Sequence, residues 1–300
     1  MAEILSENIK TKEILDWQGI HLLHFSGSSC SQKLRIFLNY KGIKWQSHSI
    51  SIATGQNYSN WFLGINPKGL VPVLVDDGKV IAESNDIIQY LEQKFPEPVL
   101  ISKEHEDSMA DHLKDEDDLH IDIRNIAYKY MFGGLGTKKP NNLERFEKYE
   151  ANTDEKTLKL KQEEVDFYKN YKKYGITNEA IRKTLSNFEK RYQDFNQKLQ
   201  NQKFLLGNNL SVLDIAWFIY TYRLTISGFP FKKKYPNVHR WYNSLYKRNI
   251  FYKEVKPPLI FYMVRMYKEV KPPLIFYIVR MISLLKARLS KTTISSFIKY

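Results

Sequence analysis

Along the first hundred residues, short apolar runs alternate with polar turn residues, a pattern that predicts strands alternating with helices. Ile20–Phe25 reads as a strand. Cys30–Lys41, with Leu34, Ile36, Phe37 and Leu38 on its apolar side, reads as a helix ending at Gly42. Trp45–Ile52 reads as a second strand, and Tyr58–Ile65 as a short helix closed by Asn66-Pro67. Leu70–Val75 is an apolar strand containing Pro72. Asp76-Asp77-Gly78 is a hairpin turn and Lys79–Ala82 its return strand. Ser84 is placed as the N-cap of a helix running to about Phe95, where Pro96 and Pro98 stop it. The order is β-α-β-α-β-β-α.

Beyond Pro98 the strand pattern ceases. Asp107 to about Phe132 reads as a helix, very acidic in its first half. Residues 133–156 form a polar insert bearing Gly and Pro. Thr157 to about Gln202 is a long charged helical stretch with a break near Gly175. Ser211 and Asp214 have the spacing of a capping box, in which each side chain serves the other's backbone N–H, and they open an apolar helix. Pro236–Arg248 is a last amphipathic helix. The expected fold class is therefore α/β plus all-α. The expected divisions are 18–98, 104–250 and a tail, 251–300.

The tail changes the electrostatic picture. The chain has 46 Lys/Arg and 33 Asp/Glu. Residues 231–300 hold 16 of the basic residues and 2 of the acidic ones, leaving the rest near neutral. A near-neutral body has no basic footprint for nucleic acid, which is excluded as a partner. Phe251–Arg265 and Met266–Arg280 differ only at their first and thirteenth positions. Two copies make a local duplication, since a solenoid needs about three or more. Leu274–Leu285 is too short, and with Arg280 too charged, to span a bilayer. Met1–Lys12 does not read as a secretory signal. The single cysteine excludes an intrachain disulfide and fits a cytoplasmic, reducing compartment.

Candidate chemistry concentrates in Phe25–Arg35, where Ser28, Ser29 and Cys30 fall at a helix start. Free N–H groups and the positive end of the helix dipole favour an anion there, a thiolate included. Gly27–Arg35, then Asn66–Leu74, then Glu83-Ser84-Asn-Asp-Ile-Ile resemble the thioredoxin-fold domain of cytosolic glutathione transferases. The Ser-Ser-Cys-Ser start is similar to the zeta class (maleylacetoacetate isomerases), and its spacing to bacterial reductive dehalogenases. Trp61-Phe-x-x-Ile-Asn-Pro is similar to bacterial β-etherases. The resemblance covers about residues 18–96 well and the helical part loosely.

The resemblance implies a thioredoxin-like domain followed by a helical bundle, glutathione as co-substrate, and the family homodimer, which the 133–156 insert and the tail repeat leave open; the single cysteine and the histidine spacing point to no metal. It implies that Ser28 stabilises the glutathione thiolate, with Ser29 one residue along and Cys30 as an alternative nucleophile. It places Val71 before a cis-Pro72 to pair with the tripeptide backbone, and Glu83 and Ser84 at its γ-glutamyl end. Gln56 or Asn57 is assigned to the glycyl end. His112, Arg124 and Tyr128 border the pocket for an electrophile. The expected reaction is attack of activated glutathione on a small electrophile, by conjugation, isomerisation or reductive cleavage. Two alternatives stay open: a non-catalytic binding protein docking to a membrane surface through 251–300, and a glutaredoxin-type oxidoreductase working through Cys30. The acidic stretch Glu104–Asp122 contains His105, His112 and His120, but no His-x-x-x-His pair, and reads as a solvated face.

Overall fold

The computed structural model describes residues 3–132, 140–149 and 154–256. The tail repeat beyond residue 256, with its membrane-docking reading, lies outside the described residues, as does much of the 133–156 insert.

Five strands form one sheet in the order β1-β5-β4-β2-β3. They are β1 (Glu3–Ile4), β2 (Ile20–His24), β3 (Gln46–Ser49), β4 (Val73–Asp76) and β5 (Lys79–Ala82). β2 runs parallel to β3 and antiparallel to β4, β4 antiparallel to β5, and β5 antiparallel to β1. α1 (Ser29–Tyr40), α2 (Asn60–Leu63) and α3 (Ser84–Lys94) connect and follow them. Strand alternation divides the core in two. Leu22, Leu74 and Ile81 face α1 and α3. Leu23, Val73, Val75 and Val80 face the opposite way, against Ile9, Ile14 and Phe62.

Several expectations shift. β1 was not foreseen, because two residues carry no readable period. The Trp45–Ile52 strand shortens to β3, and Leu70–Pro72 lie ahead of β4, which extends to Asp76. The hairpin turn is thus Asp77-Gly78, and Gly78 (φ 80°) is required there, since a Cβ would stand 2.2 Å from the Leu15 carbonyl. Glu83, not Ser84, is the N-cap of α3, and Ser84 is its first residue.

The rest is helical: α4 (Glu106–Asp117), α5 (His120–Ile126), α6 (Pro140–Lys148), α7 (Glu155–Tyr174), α8 (Asn178–Lys198), α9 (Val212–Ile226), α10 (Phe231–Lys234), α11 (Pro236–Tyr246) and α12 (Asn249–Val255). The single helix expected over 107–132 breaks at Asp118-Leu119, and a π-helical turn, Ala127–Phe132, follows α5. The break near Gly175 is present, with Gly175 at φ 65° after α7. α9 is buried from Val212 to Leu224, so it is the central helix of this part. Its capping box forms as the sequence implies. α12 straddles the expected 250/251 boundary and buries Phe251 and Val255 against the same core.

Candidate functional site at the start of α1

Ser28 is the N-cap of α1, its Oγ accepting the Ser31 N–H at 3.3 Å. Ser29 is buried as the first helical residue, and Cys30 is half-buried. The loop before them is held from beneath. Arg35 donates to the carbonyls of Phe25 (3.2 Å) and Ser26 (3.0 Å), and Arg223 of α9 donates to Gly27 O (2.6 Å). Arg35 is itself paired with Glu254 of α12. Three successive carbonyls are thereby fixed by buried guanidinium groups, and the helix start is pre-set.

Behind this helix start lies a cluster of ionisable groups from three helices, α1, α4 and α5. Cys30 Sγ is 3.7 Å from His120 Nδ1 of α5. Lys33, one turn along α1, is buried and reaches Glu116 of α4 (2.8 Å) and Asn85 of α3 (2.7 Å). Burial pushes the Cys30 thiol up, but His120, and then Lys33, outweigh it and bring the thiol below its ordinary value. His120 rises in turn, from the neighbouring Cys30 sulfur first, with burial opposing. Burial raises Asp117, with Lys33 and His120 pulling the other way.

The Val71–Pro72 bond is cis, and both residues are buried ahead of β4. Glu83 has φ 64° and ψ 117°, a conformation that non-glycine residues rarely adopt and that gathers at functional sites. Its carboxylate is exposed and meets Lys68 at 2.6 Å. Gln56 is exposed, and its Oε1 accepts the Ser51 N–H at 2.9 Å. Asn57 is buried and donates to Gly69 O at 2.8 Å.

The three electrophile-pocket candidates separate. His112 lines a cavity of about 330 Å³ between α4 and α8, together with Asp115, Arg191 and Trp217. Arg124 donates to both Glu164 carboxylate oxygens at 2.6 Å and lies 4.0 Å over the Phe167 ring. Tyr128 shares a 2.7 Å hydrogen bond with the Tyr168 hydroxyl. Tyr58 donates to the same Glu164 at 3.1 Å, tying the sheet part to α7. Sequence reasoning missed Lys33, Glu116 and Arg223 as neighbours of Cys30. The i, i+3 spacing of Cys30 and Lys33 was the one readable signal. Among the described residues, no group of three or more His, Cys, Asp or Glu is placed to hold a metal ion. No helix among them is long and apolar enough to cross a membrane.

Residues 27–94 match the family model described as glutathione S-transferase, N-terminal domain, and residues 156–249 match glutathione S-transferase, C-terminal domain. Glutathione S-transferase 1 of Dianthus caryophyllus is 42% identical over 87 residues, 29% of this chain and 39% of the relative. Maleylacetoacetate isomerase of Pseudomonas aeruginosa is 38% identical over 80 residues, 26% of this chain and 38% of that protein. The chain thus spans about two fifths of the first curated relatives it matches. Glutathione S-transferase D6 of Drosophila melanogaster is matched over 86% of its length, at 28% identity and across 75% of this chain. The structure of β-etherase LigF from Sphingobium superposes with a TM-score of 0.65 at 21% identity, covering 79% of this chain and 98% of that one.

Proposed function

The chain belongs to the glutathione S-transferase family, and we propose that it is a glutathione-dependent enzyme acting on a small electrophile. The observation that carries this reading is the α1 start. Ser28, Ser29 and Cys30 stand at a helix N-terminus whose preceding carbonyls are fixed by Arg35 and Arg223. An anionic sulfur placed there gains from the helix dipole and from hydroxyl donors. Bringing a thiol from about 8.5 down by ~2 units asks for about 3 kcal/mol, a modest demand on such a site.

In this reading residues 18–98 bind glutathione and residues 104–250 shape the second pocket. Ser28 donates to the glutathione sulfur, with Ser29 and Cys30 as the neighbouring groups able to act in its place. Val71 pairs with the tripeptide backbone ahead of Pro72. Glu83 accepts from the γ-glutamyl amine, and the α3 start at Ser84 holds the carboxylate. Gln56 serves the glycyl end. Arg124, one helical turn from His120, and Tyr128 border the electrophile, whereas His112 is assigned to the separate cavity.

The test is calorimetric glutathione binding together with turnover of aryl halides, maleylacetone and β-aryl ethers. Binding with turnover of at least one class is expected, and Ser28→Ala is expected to slow it by about 10²-fold. Binding without turnover of any class would overturn the enzyme reading. Full activity in Ser28→Ala with none in Cys30→Ala would move the chemistry to the protein's own sulfur.

A further inference from the structure

The cluster behind the α1 start contains one contact that binding of glutathione does not require. Cys30 Sγ and His120 Nδ1 meet at 3.7 Å across the junction of the two parts of the molecule, 90 positions apart in sequence. We infer that His120 is the proton partner of Cys30, holding its sulfur as a thiolate and passing a proton to the sulfur that leaves when this thiolate attacks a glutathione mixed disulfide. The inference deepens the reading above and rests on it, because it supposes that the site takes glutathione.

The groups facing the sulfur are few and their partners are known. From α1 comes Lys33, which is bound to Glu116 at 2.8 Å and to Asn85 at 2.7 Å. From α4 come Glu116, which opposes a thiolate, and Asp117 beside His120. From α9 come Tyr220, held neutral by burial, and Arg223, whose terminal nitrogen is given to Gly27 O and Gln32 Oε1. From α5 come His120 and, one turn on, Arg124, which is paired with Glu164. Lys33, Arg124 and Arg223 are thus each engaged elsewhere. Among the described residues, His120 is the titratable group that meets the sulfur directly. A half-buried thiolate has lost much of its hydration, so a neighbouring imidazolium acts on it through a lower effective dielectric.

An imidazole also does what a lysine or arginine does not: it releases and regains its proton near neutral pH. The Cys30 thiolate attacks the glutathione sulfur of a mixed disulfide. A Cys30–glutathione disulfide forms as the original S–S bond breaks. The electron pair leaves on the other thiol, which takes the imidazolium proton. A glutathione, deprotonated by the now neutral His120, attacks the glutathionyl sulfur on Cys30. Glutathione disulfide departs, and the thiolate–imidazolium pair is restored. One mixed disulfide and one glutathione become one thiol and one glutathione disulfide, with no other reductant. His120 exchanges protons with the departing and the incoming sulfur, so it is the acid–base group of the step, and Cys30 is its nucleophile.

Cys30 is the chain's one cysteine, so the ultraviolet absorbance of thiolate titrates a single group in the whole folded protein with no ligand present. The expected midpoint lies below the free-thiol value of about 8.5. His120→Asn is expected to raise it by about one unit, a roughly tenfold loss of thiolate near neutrality. Reduction of a glutathione mixed disulfide is expected to slow about tenfold at pH 7, with its pH profile displaced upward and the rate recovered in alkali. A merely structural His120 would lower the rate at every pH. Because coupled groups shift each other, the His120 ring, followed by nitrogen NMR, is expected to titrate lower in Cys30→Ser. This second measurement stands even if His120→Asn fails to fold. An unchanged Cys30 midpoint in His120→Asn, an unchanged His120 in Cys30→Ser, or mixed-disulfide reduction that survives Cys30→Ser would overturn the inference. If the two titration shifts appear but glutathione neither binds nor turns over, the glutathione reading falls and the ion pair is upheld.

Discussion

Glu116 and Asp214 are both buried carboxylates on helices, 2% and 0% exposed, and they are served in opposite ways. Asp214 sits in the first turn of α9 and accepts four fixed neutral donors: Leu205 N (2.9 Å), Ser211 N (2.9 Å), Ser211 Oγ (2.6 Å) and Trp241 Nε1 (2.8 Å). Burial raises it, and those hydrogen bonds pull it back. Glu116 meets a cation, Lys33, on the same helix as Cys30. A carboxylate surrounded by neutral donors locks geometry and exerts little field on its surroundings beyond its own charge. A carboxylate paired with a lysine forms part of a shared charge balance in which a neighbouring thiol and imidazole also take part. The first arrangement supports the helical domain. The second stands beside the Cys30 thiol, where Lys33 pulls it down and Glu116 pushes it up.

The sharpest way to break this contrast is at Lys33. Lys33→Met leaves Glu116 buried and uncompensated, and is expected to cost about 3–5 kcal/mol in urea unfolding. Lys33→Met combined with Glu116→Leu is expected to regain most of that, since no orphan charge remains. A double variant as unstable as the single would show that the pair is not the unit.

A third buried group supplies a pH scale. Burial first, then Arg35 and His48, lower His24 from 6.5 to about 4. Its folded value is depressed, so the stability it lends is complete above 6.5 and is lost as pH falls through about 4. The full loss is about 3 kcal/mol. Unfolding free energies between pH 7 and pH 4, compared with those of His24→Gln, test this, and a variant with the same acid slope as wild type would refute it.

Asp214→Ala orphans the Leu205 N–H and the Trp241 indole, and is expected to cost about 2–3 kcal/mol while leaving glutathione affinity unchanged. Loss of affinity there would erase the distinction between the two carboxylates. Ser211→Ala removes one half of the capping box and is expected to cost about 1 kcal/mol by thermal unfolding.

The strand–helix order of the first part was legible because each element carries its own period and its own stop: Gly42 after α1, Asn66-Pro67 after α2, the Asp77-Gly78 turn. The Ser211–Asp214 box was legible for the same reason, being closed within four residues. Element edges were less so. Glu83 supplants Ser84 as N-cap because the chain enters α3 at positive φ, which no side-chain preference announces. The split between α4 and α5 has no Pro or Gly to mark it, and sequence reasoning merged them. At the site, Ser28 and Cys30 could be singled out, but the partner of Cys30 could not. His120 stands in an acidic run that favours a solvated reading, and only the packing of α5 against the site brings its ring to the sulfur.

The clamp on Phe25–Gly27 has a further consequence for how the chain is made. Arg35 finds Glu254 219 residues later. At ~5–20 residues per second, a ribosome needs roughly 10–40 s to supply that carboxylate after Arg35 has been joined. Throughout that interval the sheet part can collapse, but the guanidinium beneath the Phe25–Gly27 loop lacks its Glu254 partner. A candidate site made early in synthesis is therefore completed late, when α12 closes over α1.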